Sequence, residues 1–429
     1  MPFVEVSPDI ILYYEILCCE DSSTDVQKPW LLLVHQLLMD SCYMKPFSND
    51  PVLRKNFNQV FFDLRHHGRS HPPAMASVDL YTLAADLAFG LEKLNIPPVH
   101  ALGTHSWASE ILLRMAALFP TQIISLCLSS IPPSEDTPFL KRAFFEAFQS
   151  CANPESVDEW DEAVASVQWF NFGNPRYIDV DISDEWAGVF LRRYPPCRSY
   201  ECTLGILPFL QRDVMPFSLT QTIKQPVLFI RGERDEIFTH SDSQTRLNEL
   251  PFHPFHDLQT ISDAPLMCCR THIEEVRSRY INWLKPILEQ EIKSQTEKPM
   301  RCWKSSLEKL ALHCQDDSIC QRDPLDSSSY YRKSLQEILE TKHLQEQQRS
   351  REPNTFSLIG GGAPEIWTGA TFDEVVPWRF SSRFDNARIS NLFPKNGKPL
   401  CALQIIETSI ETEKDIDQIE NLMHKIDFV

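Results

Sequence analysis

Ser106 lies in the run Leu102-Gly103-Thr104-His105-Ser106-Trp107-Ala108, between a strand-like segment at 99–102 and a helix-like one that begins near Trp107. A sharp strand-to-helix turn lifts a hydroxyl above a sheet, which is one way a serine nucleophile is presented. Small residues two before and two after the serine let such a turn close. Those positions hold Thr104 and Ala108, and the β-branched Thr104 is expected to strain the turn. Taken alone, a serine in such a turn is more often structural than catalytic. A carboxylate that could orient a base, Asp235 of Gly232-Glu233-Arg234-Asp235, follows another strand-like run. At neutral pH a serine hydroxyl is a poor nucleophile unless a base takes its proton. The histidines therefore decide what the pair can do, and none lies between His105 and His240.

The elements that must position these residues are legible as an alternation. Short apolar runs at 10–14, 30–34, 59–63, 99–102, 123–128, 225–230 and 258–261 suit buried strands. Helical spacing at 81–94, 110–119 and 273–283 separates several of them, so the fold class is α/β with a mostly parallel sheet flanked by helices. The alternation breaks at Pro132-Pro133. Residues 134–220 are aromatic, acidic and helical in patches (139–148, 158–170, 184–194), the pattern of a helical cap inserted between two strands. The expected organisation is a core of 1–133 and 221–286, a cap insertion of 134–220, and a C-terminal extension of 287–429. The extension carries helix candidates at 303–312, 330–344 and 416–426 and is either a small accessory layer or partly disordered. Gly360-Gly361-Gly362 lacks a preceding strand and a following Lys-Ser/Thr, so it reads as a flexible turn. The cap tryptophans Trp160, Trp169 and Trp186 are expected in a core, and could also line an apolar pocket between cap and sheet.

Several segments resemble the alpha/beta-hydrolase superfamily (AB hydrolase-1 type) over roughly residues 1–285. Leu33-Val34-His35-Gln36 looks like its His-Gly step after the third strand, and Phe62 to Ser70 resembles its Asp-x-Arg-Gly-x-Gly-x-Ser stretch. Tyr81-Thr82-Leu83 with Asp86-Leu87, and Pro226 to Asp235, match two further segments. The resemblance implies Ser106 as nucleophile, Asp235 as acid, and the backbone amides of Leu37 and Trp107 as an oxyanion hole for negative charge on an attacked carbonyl. It also implies three departures. Gln36 replaces the glycine that lets the oxyanion loop turn, so that loop is expected to be displaced. Ser262-Asp263-Ala264-Pro265-Leu266 aligns with the family's Asp-Ala-Gly-His segment, which puts Pro265 on the glycine and Leu266 on the catalytic histidine. Loss of that histidine alone costs a serine protease on the order of a million-fold in turnover.

Among substitutes, His240 follows Asp235 closely and lies at the correct end of the sheet, which makes it the leading candidate base. His272 falls several residues past the slot. His253 and His256 precede the last strand and belong near its opposite end, about 30 Å away at ~3.3 Å per extended residue. His35 is expected to hold the oxyanion loop, and His105 to point away from Ser106, as adjacent side chains at an elbow do.

Composition bounds the rest. The 429-residue chain has a formal charge of −18, from 41 basic and 59 acidic side chains, which argues against nucleic acid and against anionic membrane surfaces. Its odd set of 13 cysteines, without recurring zinc-type spacing, suits reduced thiols in a cytoplasmic protein. No signal peptide, membrane span, metal site or cofactor is expected. Two functions fit: a serine hydrolase acting on a small apolar ester, lactone or related acyl compound, or a catalytically inactive homologue that binds a small apolar ligand or a protein partner.

Overall fold

The strand-like runs assemble into one sheet. The computed structural model describes residues 2–333 except 20–27, 71–77, 153–156, 195–198 and 295–301. Its strands are β1 (Phe3–Ser7), β2 (Ile10–Leu17), β3 (Trp30–Val34), β4 (Asn58–Phe62), β5 (Val99–Gly103), β6 (Ile123–Ser129), β7 (Val227–Gly232) and β8 (Asp257–Ile261). They lie in the order β1-β2-β4-β3-β5-β6-β7-β8. The first two pairs are antiparallel and the other five parallel. Every residue of β5 and β7 is buried, as expected of parallel strands covered on both faces.

Most helices match the periodic segments, with ends set by caps. The first three are α1 (Lys45–Ser48), α2 (Pro51–Asn56) and α3 (Leu80–Lys93), the last started by Asp79 accepting from Thr82 N. Next comes α4 (Ser106–Leu118). Helices α5 (Pro138–Ala152), α6 (Val157–Phe172), α7 (Val180–Arg193) and α8 (Ser199–Leu210) follow. The chain then forms α9 (Phe217–Thr220), α10 (His240–Asn248), α11 (Cys268–Thr271), α12 (Ile273–Ser294) and α13 (Trp303–Cys314). Helix α12 overruns the end expected at 283 and carries Pro286 in its interior. Val276, Tyr280, Leu284 and Ile287 form one buried stripe along it, and that packing outweighs the backbone bond which proline removes.

The chain divides into two compact units. One comprises Met1–Glu135 and Gln211–Ser334, and the other contains Asp136–Leu210. Inside the second, Phe144 packs on Phe170 at 4.3 Å between ring centroids and on Phe209 at 5.2 Å, while Trp186 stacks on Phe190 at 5.1 Å. Trp160 and Trp186 are buried there, so both serve as core.

Residues 303–333 of the extension are an integral part of the first unit. Arg65 and Asp86 form a fully buried ion pair, at 2.5 Å from Nε to Oδ2. Ser327 Oγ donates to Asp86 Oδ1 at 2.6 Å and accepts from Arg65 Nη2 at 2.9 Å, while Ser327 N donates to Ser7 Oγ at 2.6 Å. Trp303 packs on Phe89 at 4.2 Å. The helix expected at 303–312 is α13, whereas residues 327–330 form a single 3₁₀ turn. The remainder of the 330–344 candidate, the 360–362 glycines and the 416–426 candidate lie outside the described residues.

The Asp63–Ser70 stretch braces the loop that follows β3. Asp63 accepts from Ser41 N at 2.8 Å through Oδ1 and from Arg69 N at 2.9 Å through Oδ2. Burial, with Asp40 nearby, raises its carboxyl to about 6. Gly68 has φ +56, and a Cβ there would meet Asp63 Oδ2 at 2.1 Å. Gly68→Ala is therefore expected to cost at least about 2 kcal/mol, from left-handed strain alone, in urea unfolding.

Candidate functional site

The carboxyl ends of β3, β5 and β7 and the loop after β8 bring Gln36 and Leu37, Ser106, Asp235 and Leu266 to one edge of the sheet. This is where open α/β sheets hold their ligands. Between β5 and α4 the turn is relaxed. Neither Thr104 nor Ser106 is among the residues with positive φ. Thr104 sits against β3, its N and Oγ1 both reaching Val34 O, at 3.3 and 3.0 Å. The close approach falls one residue earlier, where a Cβ on Gly103 would lie 3.0 Å from the Ala108 carbonyl carbon. The strain expected at Thr104 is thus absent.

His105 is extended (φ −159, ψ 168) and Ser106 is the first residue of α4, fully buried. This geometry turns the two side chains toward each other, with Ser106 Oγ 3.0 Å from His105 Nδ1. The expectation that His105 points away is corrected here. Its premise was that adjacent side chains at an elbow point apart, whereas here an extended His105 precedes a helical Ser106.

Asp235 lies beyond β7 and is buried. Its Oδ1 accepts from Ile237 N at 3.0 Å and Phe238 N at 2.9 Å, while Oδ2 is buried with no hydrogen-bond partner among the described residues. Burial raises this carboxyl to about 7, against the opposing pull of the two amides and Arg231. The loop after β8 is pinned across β7: Arg234 N donates to Ala264 O at 2.8 Å, and a Cβ on Gly232 would strike Pro265 O at 2.1 Å. Ser130 Oγ donates to Leu266 O at 2.7 Å, and the Leu266 side chain is fully buried.

The alpha/beta hydrolase fold family matches residues 29–265. The chain belongs to this family. No curated protein matches the chain by sequence. Solved structures share the fold. Carboxylesterases of the ammonia-oxidizing thaumarchaeon Nitrososphaera gargenis superimpose with a TM-score of 0.54 at 18% identity, over 67% of this chain and 100% of theirs. The enol-lactonase of Burkholderia xenovorans LB400 gives 0.52 at 18%, over 67% and 100%. A thermophilic esterase from Thermogutta terrifontis gives 0.53 at 17%, over 65% and 94%. At these identities the likeness is one of fold.

The residues that the resemblance assigns to an oxyanion hole lie in the loop after β3 and at the start of α4. The loop turns at Leu38 (φ +58) instead of at Gln36, and Met39 N donates to Gln36 O at 3.3 Å. Leu37 is buried, and Trp107 is the second residue of α4, where helix amides lack intrahelical partners. Tilted ring contacts connect the loop after β3 to α4, His35 to His67 at 5.2 Å and His67 to Trp107 at 5.5 Å. His35 accepts from Leu64 N through Nε2 at 3.1 Å, leaving Nδ1–H to donate to Gln36 O at 2.7 Å. Burial lowers its pKa to about 4, so it is a neutral brace at pH 7.

His240 is the exposed first residue of α10, and it hydrogen-bonds neither Ser106 nor Asp235 among the described residues. His272 is half-buried, its Nδ1 2.9 Å from Thr271 Oγ1. His256 Nδ1 accepts from Val227 N at 3.1 Å, at the start of β7 and so far from the carboxyl edge. Of these histidines the structure brings only His105 to Ser106. Its chain adjacency was the available signal for that contact.

Proposed function

We propose that this alpha/beta hydrolase fold protein binds a ligand without hydrolysing it. One observation carries the reading: the buried Asp235 Oδ2 has no hydrogen-bond partner among the described residues, and Leu266 stands where the family resemblance puts the base it would orient. A serine without that base retains only the weak catalysis of binding and the oxyanion hole. The helix-like backbone of Ser106 and its burial agree with this. The unit Asp136–Leu210 would act as the cap, and the protein would be cytoplasmic, since no described cysteine is in a disulfide. Among the described residues no helix is long and apolar enough to cross a membrane.

The His105–Ser106 contact favours a second reading, a dyad hydrolase for a small apolar ester or lactone. The named neighbours are esterases and an enol-lactonase, yet shared fold does not fix activity. A fluorophosphonate probe that labels activated serines separates the two. Binding without chemistry predicts no labelling above that of Ser106→Ala. The dyad predicts labelling that is lost in His105→Ala and retained in Asp235→Ala and His240→Ala.

A further inference from the structure

A cleft of about 150 Å³ opens in the first unit between α13 and the 3₁₀ turn Pro120–Gln122, at the amino end of β6. Helix α4 runs from Ser106 at the candidate site to Leu118 in the cleft wall, about 18 Å at 1.5 Å per residue, so the two places are separate. A cavity of this volume takes one benzene ring. Leu118, Phe119, Pro120 and Trp303 supply its apolar wall. Trp303 is half-buried and packs on Phe89 and Phe119, at 4.2 and 5.5 Å between ring centroids, so that wall is preformed. No carboxylate is among the described residues of the lining, and its charged group is the Lys309 ammonium. One of the three N–H groups on that nitrogen donates to Ala117 O at 3.2 Å, a neutral acceptor. Burial lowers the Lys309 pKa, and no carboxylate among the described residues opposes the shift. The backbone acceptors of the same wall are engaged. Leu118 O accepts from Ser306 Oγ at 2.5 Å, Phe119 O from Gln122 N at 3.0 Å and Pro120 O from Gln225 Nε2 at 3.0 Å. Gln122 is turned inward, its Nε2 donating to Ala88 O at 3.1 Å and its Oε1 buried. The hydroxyls of Thr121 and Ser305 and the Cys302 thiol can each donate or accept, so they adapt to a ligand and do not set its charge.

We infer that the cleft binds a small aromatic carboxylate, with its ring against Trp303 and Pro120 and its carboxylate on Lys309 Nζ. The volume and the indole wall select a single flat ring. The ammonium, half-buried and without a counter-ion among the described residues, selects an anion, because charge-assisted hydrogen bonds are about twice as strong as neutral ones. An inorganic anion would meet the ammonium and leave the apolar wall uncovered. Neither Ser106 nor Asp235 lines this cleft, so its occupancy is independent of whether Ser106 is active.

The test is fluorine NMR of the full chain labelled with fluorotryptophan, the Trp303 signal being assigned from Trp303→Phe. The probes are benzoate, benzamide and inorganic phosphate. Benzoate should shift the Trp303 signal saturably, with a dissociation constant on the order of 1 mM. Benzamide has the same shape without the charge and should bind roughly tenfold more weakly. Phosphate should leave the signal in place. Lys309→Gln should weaken benzoate by about tenfold, while Lys309→Arg keeps the cation and should restore most of the affinity. The remaining tryptophan signals report whether each variant keeps its fold. The three probes are compared on the unaltered chain, so the result does not hang on any variant. Equal affinity for benzamide, an equal response to phosphate, or a Trp303 signal that no probe moves overturns the assignment. So does unchanged benzoate affinity in Lys309→Gln, or a loss in Lys309→Arg as large as in Lys309→Gln.

Discussion

Asp235→Asn is expected to stabilise the protein by roughly 4 kcal/mol at pH 8 and to change it little at pH 4. The figure is the free energy separating a carboxyl that titrates near 7 from one near 3.8. The unfolded chain gives up this proton first, so between about pH 4 and 7 the folded state binds more protons and stability falls as pH rises. Below pH 4 both states are neutral and the difference disappears. Asparagine preserves the Oδ1 acceptor for Ile237 N and Phe238 N and places a neutral group where Oδ2 lies unpaired. Urea unfolding of both proteins at pH 4 and pH 8 measures the effect. Asp63, raised to about 6, contributes a smaller slope of the same sign that the variant retains. A carboxylate serving a protonated base would be held in its ionised form, and removing it would then destabilise the fold. A loss of stability at pH 8 would therefore sink the claim that Asp235 Oδ2 serves no base.

Glu110→Leu is expected to destabilise by on the order of 3–5 kcal/mol, the usual cost of stranding buried charges. Glu110 is fully buried one turn beyond Ser106 in α4, and three arginines converge on it. Arg114 Nη1 lies 2.5 Å from Oε2, and Arg246 Nη2 and Arg212 Nη1 lie 3.0 and 3.6 Å from Oε1. Burial alone would raise the Glu110 carboxyl, but Arg246, Arg212 and Arg114 together hold it below its usual 4.5. Its stabilisation is complete above pH 4.5 and is lost as pH falls through the lower folded value, the opposite sign to Asp235. Arg212 also donates from Nη1 to Pro133 O at 2.9 Å and to Ser134 O at 3.2 Å. It thereby ties the chain entering the 136–210 segment to the chain leaving it. Pairing Glu110→Leu with Arg246→Met should cost about 1–3 kcal/mol less than the two single changes summed, because the cation is then no longer stranded.

The fold was legible because burial on both faces of a parallel sheet demands unbroken apolar runs. Trp30 to Val34 and Val99 to Gly103 could be read as strands without neighbours. The end of α12 could not. Pro286 signals a stop locally, and only the packing of Leu284 and Ile287 on the sheet overrides it. Residues 303–333 were ambiguous for a related reason. Their attachment rests on Ser327 meeting Arg65 and Asp86, residues more than 240 positions away in the chain.

At the candidate site the division is sharper. The sequence by itself determined which residue types stand where the family resemblance implies nucleophile, acid and base, because register along contiguous segments is a matter of counting. Serine, aspartate and leucine are therefore properties of the text. Only the tertiary structure decided how those side chains are engaged. The relaxed backbone at 104–106 turned His105 onto Ser106. The crossing of residues 264–265 over Gly232 fixed the loop that carries Leu266. Burial left Asp235 Oδ2 and Gln36 Nε2 without hydrogen-bond partners among the described residues. Each of these depends on distances between segments remote in the chain and on exclusion of water. Residue identity encodes neither.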